Sequence, residues 1–197
     1  QADYTEQLTK VLQTKPQALY SCFWGGDVTA FIDQSSIYDL FAKMEVFAVN
    51  VADYSILTAI KKLPKGIHSG SRYLSTFPKT RENAAWSAAY REKNKDFPLN
   101  WSWENAVGAQ FVCEALRKVG STDTKKLAAA ITGATIDTPF GADGKITMRA
   151  SDNTIINYAT GWGQTIQQDP YVPDVKAVDW KVILEHESEW KKDMKYI

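Results

Sequence analysis

Apolar residues recur at helical spacing from the outset: Leu8, Val11 and Leu12 share a stripe behind Asp3, predicting a helix over 5–14 that Pro16 stops. The continuous apolar run from Ala18 to Trp24 reads instead as a buried strand, closed by Gly25-Gly26. A second helix opens at Asp27, with Val28, Phe31 and Ile32 in phase; Asp27 is placed to cap it or to favour its positive end. Strands over 46–49 and 67–75 then flank a helix over 54–62, which Pro64 and Gly66 end. This alternation with short connections is the pattern of βαβ units on a parallel sheet, an α/β fold.

From Thr76 the pattern changes. An Ala-rich helix over 79–95 carries Trp86 and Tyr90 on one stripe, a longer one over 101–119 ends at Gly120, and Ser121-Thr122-Asp123 caps a third reaching Thr132. Three helices without an intervening strand imply a second lobe. Asp143-Gly144 marks a turn between Phe140 and Ile146, 155–166 reads as one long strand, and 182–196 as an amphipathic terminal helix.

Composition narrows the function classes. With 44% apolar residues and only 11 Gly and 7 Pro in 197, the chain can build a core, which excludes disorder as its main state. The 23 basic and 23 acidic residues balance, so no basic face suits nucleic acid, and no apolar run approaches membrane-spanning length. Cys22 and Cys113 could form a disulfide or be two small buried side chains; their apolar neighbours favour buried thiols. The chain opens at Gln1-Ala2-Asp3 without a charged or apolar leader, as expected of a removed signal or of a segment that starts mid-protein.

Motifs for covalent chemistry are missing from the sequence. His68 and His186 stand apart from other metal-ligating residues, so no metal is expected, and there is no nucleophile elbow, Walker loop or dinucleotide fingerprint to call for a cofactor. Most acidic residues alternate with lysines on solvated helix faces. What stands out is aromatic residues at element ends: Phe23-Trp24 before Gly25-Gly26, and Trp101 and Trp103 at the start of a helix. Ligands of open α/β sheets sit beyond the carboxyl ends of strands, against free helix amides, which is where Trp24, Gly25 and Gly26 fall. A rim or core aromatic is the competing reading of Trp24.

Asp3-Tyr4-Thr5, Lys15-Pro16-Gln17-Ala18, Trp24-Gly25-Gly26-Asp27, Ala30-Phe31-Ile32-Asp33-Gln34, Lys65-Gly66-Ile67, Lys118 to Asp123, Thr138-Pro139-Phe140-Gly141 and Ala142-Asp143-Gly144 occur in an order and spacing that resembles the type I periplasmic solute-binding proteins of ABC importers, the leucine/isoleucine/valine-binding group. The resemblance covers their C-terminal half. It implies two parallel-sheet lobes with helices on both faces: residues 1–75 as the latter part of lobe two, 76–151 as the C-terminal part of lobe one, and 152–197 as the return to lobe two with the terminal helix. Helices over 80–132 would then leave Trp86, Tyr90, Phe111 and Leu116 without partners until a missing N-terminal half or another chain completes the lobes.

The same resemblance implies an extracytoplasmic, periplasmic protein that passes a small organic solute to an ABC permease, without catalysis. Trp24 would lie over the solute, Gly25 and Gly26 would admit it close to the backbone, and Trp101, or Trp103 with a slip of two, would form the opposite wall. Either Asp53 meets an amino-acid ammonium, or Asn50 faces the cleft and the solute is neutral or anionic, with an aromatic body among the options. Hinges are expected near 75–78 and 151–154, with both cysteines reduced. A ligand-sensing domain of the same fold, or a hydrolase or lyase using Asp27, Asp53 or Glu104, are the other readings; turnover of the solute separates the last.

Overall fold

The computed structural model describes residues 3–196; Gln1 and Ala2, where the leader was sought, lie outside it. The first body runs α1 (Thr5–Thr14), β1 (Ala18–Ser21), α2 (Gly25–Ile37), β2 (Glu45–Ala48), α3 (Tyr54–Leu57) and β3 (His68–Ser71). α1 ends as foreseen, with Lys15 in the left-handed region ahead of Pro16. Leu8, Val28, Ile32, Val46, Ala48 and Ile67 share one core, so this face of the sheet is packed by helices. The other face is open at Tyr20, which is 65% exposed, and holds a stacked row of Phe47, His68 and Trp162.

Local expectations are corrected here. β1 stops at Ser21, leaving Cys22, Phe23 and Trp24 in an exposed loop, and α2 starts at Gly25, two residues before Asp27, which lies in the first turn where its charge favours the positive end of the helix. β3 ends at Ser71 instead of continuing to 75, and α3 loosens into turns beyond Leu57. The strands alternate between faces, so the apolar runs that read as buried throughout are buried on one side only.

The second body comprises α4 (Arg81–Asn94), α5 (Asn100–Val119), α6 (Thr124–Ile131) and an antiparallel sheet of β4 (Thr135–Asp137), β5 (Lys145–Met148) and β6 (Ile155–Ile156). Thr80 and Asp123 cap α4 and α6 by accepting from the amides of Asn83 and Lys126. Its core joins Tyr73, Trp103, Val107, Phe111, Ile136, Phe140 and Ile146. Phe111 is therefore 2% exposed, and Trp86 meets the Phe140 ring edge-on at 4.7 Å, which corrects the expectation that these two lack partners. The small sheet fills that role for them.

The chain then returns through β7 (Gly161–Gln164) and β8 (Lys176–Ala177) to α7 (Trp180–Asp193). The large sheet has the order β1-β2-β3-β7-β8; β1, β2 and β3 run parallel, β7 runs antiparallel to β3, and β8 runs antiparallel to β7. The predicted single strand over 155–166 is thus two strands in two sheets. Asn157, at φ 66°, breaks it, and the amides of Ala142 and Ala159 hold the crossing through the carbonyls of Asn157 and Phe140. The change of sheet falls at 157–160.

Both cysteines are free and exposed, not buried. Cys22 lies past the end of β1, and Cys113 lies on the face of α5 turned away from Phe111 and Ala115.

α7 is tied down by Arg149, whose guanidinium bonds Glu187 and Asp152, each at 2.6 Å. The Arg149 bonds hold the Glu187 carboxyl down at about 2 and keep Asp152 well below the usual carboxylate range. Carboxyls depressed in the folded state stabilise it above their ordinary values, and that contribution is lost as pH falls through the folded values. We expect the protection of α7 amides, measured relative to their intrinsic exchange rates, to be high at neutral pH and to fall as pH drops from the ordinary carboxyl range toward about 2. Arg149→Ala should show the lowered protection at neutral pH already. In the second body, Phe111→Ala should cost about 3–5 kcal/mol in denaturant melts, because nothing can refill its site cheaply.

Candidate functional site

The carboxyl ends of β1, β2 and β3 open into loops that meet the amino end of α5. Between them lies a cavity of about 270 Å³ whose lining includes Trp24, Asn50, Asp53, Ser71, Arg72, Asn100, Trp101, Thr160 and Trp162. This is where an open α/β sheet presents its ligands. One wall belongs to the large sheet, the other to α5 of the second body.

Each wall is held by specific bonds. Asn50 Nδ2 donates to the carbonyls of Phe23 at 3.2 Å and Cys22 at 3.5 Å, which fixes the loop leading to Trp24. Asp53, 7% exposed, caps α3: Oδ1 accepts from the amide and hydroxyl of Ser55 at 2.9 and 2.5 Å. Its Oδ2 accepts from the Asn100 amide at 3.0 Å, so one carboxylate serves the first turns of two helices on two bodies. The Trp24 and Trp101 rings meet edge to face at 6.2 Å across the gap. Gly70 makes room for the third indole, since a Cβ there would lie 3.2 Å from the Trp162 ring.

Arg72 is the one basic residue among the described residues lining the cavity. It pairs with Glu104 of α5 at 2.8 Å, and its guanidinium carbon lies 5.5 Å from the Trp101 ring centre. Burial pushes the Glu104 carboxyl up; Arg72 opposes that shift and Asp53 adds to it. Ser71 Oγ and Asn100 Oδ1 are buried without a hydrogen-bond partner among the described residues, Ser71 being 3% exposed.

Of the residues singled out from sequence, Trp24, Asn50, Asp53 and Trp101 are brought together here. Phe23 turns instead to Tyr4 and Phe31, at 5.2 and 5.3 Å. Gly25 and Gly26 form the first residues of α2 and are not part of the cavity lining. Trp103, 2% exposed, is a core residue against Phe140 and Tyr158. Ser71, Arg72, Asn100 and Trp162 were missed. The position that marks Trp24, just past a strand end, applies equally to Arg72, but the sequence pattern carries β3 on to 75 and so hides it. Among the described residues no three His, Cys, Asp or Glu side chains could share a metal ion, and no helix is long and apolar enough to cross a membrane.

The sequence profile of the periplasmic binding proteins matches residues 1–161. The chain belongs to that family. Solved structures agree on the fold. A substrate-binding protein of an amino-acid ABC transporter from Pseudomonas fluorescens Pf-5 superposes with a TM-score of 0.74 at 16% identity, covering 91% of this chain and 48% of that one. A solute-binding protein from Rhodopseudomonas palustris BisB5, in complex with 3,4-dihydroxybenzoic acid, gives 0.77 at 22%, covering 90% and 49%. A leucine-, isoleucine-, valine-, threonine- and alanine-binding protein from Brucella ovis, in a closed conformation, gives 0.72 at 16%, covering 91% and 46%. The chain spans about half the length of these structures. No curated protein sequence matches it. The type I fold read from the sequence motifs is thus borne out.

Removing the shared cap should be felt in both bodies. Asp53→Ala is expected to lower stability by about 1–3 kcal/mol in chemical denaturation, because the partly buried amides of Ser55 and Asn100 lose their acceptor together. Asp53→Asn, which keeps an acceptor oxygen, should recover part of the loss.

Proposed function

We propose that this chain is the solute-capturing part of an ABC importer, working outside the cytoplasm and handing a small organic solute to a membrane permease. The observation that carries this reading is the cavity between the two bodies, with three indoles and one guanidinium among its lining residues. Pockets of this make-up bind an apolar body and orient it by a few polar contacts. In this reading the lobes follow 1–75, 76–151 and 152–197, and a further segment or chain completes the cleft. Family membership and the engaged state of Asp53 and Glu104 support binding without catalysis.

Among solutes, an aromatic or apolar carboxylate is the reading we favour. Asp53 Oδ1 already accepts two bonds and Oδ2 one, so little of that carboxylate is left for an ammonium group. The complex of a structural neighbour with 3,4-dihydroxybenzoic acid is consistent with this choice. An amino acid is the second reading, favoured by the one acceptor direction remaining on Asp53 Oδ2 and by the neighbours named for amino acids.

Calorimetric titration with 4-hydroxybenzoate and with leucine tests the site. Trp24→Ala and Trp101→Ala should each weaken binding of the preferred solute by at least about tenfold, whereas Trp190→Ala, exposed on α7, should not. Unchanged affinity in both cleft variants would remove the assignment of Trp24 and Trp101 as facing walls. Leucine binding with no response to 4-hydroxybenzoate would select the amino-acid reading.

A further inference from the structure

Arg72 is the only cation described in the cavity wall, and its Nη1 already faces a carboxylate, Glu104 Oε1, at 2.8 Å. Its partner Glu104 sits one turn into α5 from Asn100 and Trp101, on the body opposite the sheet that carries Arg72. Both side chains are partly screened from water, the carboxylate more than the guanidinium. A guanidinium binds one carboxylate best through two parallel bonds, and a second carboxylate drawn to the same group meets both competition and like-charge repulsion. Asp53 adds a second negative charge near Glu104.

We infer that Glu104 is a built-in competitor: its carboxylate occupies the guanidinium of Arg72 in the empty cleft, and an anionic solute must displace it, so that Glu104 sets how strongly the site takes acids. This rests on the reading of the cavity as the solute site and goes beyond it by naming a residue that tunes affinity without being required for binding. The exchange is a swap of ion pairs. Arg72 leaves Glu104 for the solute carboxylate, and the released Glu104 either turns to water or takes up a proton.

The charged and titratable groups around Glu104 fix the direction of the pH effect. Arg72 faces it from the end of β3, Asp53 from the loop before α3, and Tyr158 from the crossing between the sheets. Burial and Asp53 raise the Glu104 carboxyl against the pull of Arg72. Falling pH therefore neutralises Glu104 first and frees Arg72 while an ordinary solute carboxylate, near pKa 4, is still ionised.

The test uses benzoate as the anionic probe, benzamide as its uncharged counterpart and leucine as a zwitterion, titrated by tryptophan fluorescence from about pH 8 to about pH 5. In the unaltered chain, benzoate should bind more tightly as pH falls and benzamide should not. Glu104→Gln should bind benzoate at pH 8 about fivefold more tightly, with a flat pH profile and unchanged benzamide binding. Glu104→Asp, which keeps the charge, should retain the pH dependence, and Arg72→Gln should abolish the preference for benzoate over benzamide. Equal benzoate affinity and equal pH profile in Glu104→Gln and the unaltered chain would overturn the inference, as would an equal gain for benzamide. No benzoate binding in any form would overturn it too, because an unpaired Arg72 should accept a simple carboxylate. Leucine binding in that case would leave the cleft reading standing, and the absence of any binding would remove both.

Discussion

The geometry of the cleft depends on a single buried carboxylate. Asp53 lies past the end of β2, in a loop whose own helix is only one turn long, and alone that turn would be marginal. Accepting from Ser55 and from the first amide of α5 together makes the carboxylate a joint: it closes the helix next to it and positions a helix on the other body. A charge this buried would be costly if either donor were withdrawn, so the bond pattern is self-enforcing. The neighbouring Trp24–Trp101 contact and Arg72–Glu104 pair take their places from the same arrangement, since all three bridge the two bodies around one cavity.

The elements legible in the sequence are those whose residues decide their own conformation. Leu8, Val28 and Ile32 recur at a period that only a helix satisfies, Thr80 and Asp123 accept from free amides where caps are needed, and Gly120 adopts the positive φ that ends α5. What was not legible depended on distant partners. Nothing in the run 155–166 marks Asn157 as the point where the chain leaves one sheet for another, because the bonds that hold it there come from Phe140 and Ala142. Cys113 shows the same limit: an apolar neighbourhood in sequence says less than the helical phase, which places it away from Phe111.

The candidate site divides the same way. Trp24 and Trp101 follow local signals, a strand end and a helix start, whereas Asp53 follows only from the resemblance. Ser71 and Arg72 follow from where β3 stops pairing, and that is set by β7, about 90 residues further along the chain. Trp103 shows how narrow the margin is. It lies two positions from Trp101, about 200° around the helix, which is the difference between a cleft wall and the core.

The two exposed thiols have a use that their chemistry in isolation would not suggest. Cys22 belongs to the body built on the large sheet and Cys113 to the body built around α5, and both are open to solvent. The chain therefore already holds one addressable label position on each side of its cleft. A pair of dyes or spin labels on these thiols reports the separation of the two bodies directly, with no cysteine to add or remove. In an oxidising compartment the same accessibility makes each thiol a point for cross-linking to a neighbouring molecule, so the chain is best handled reduced until the labels are in place.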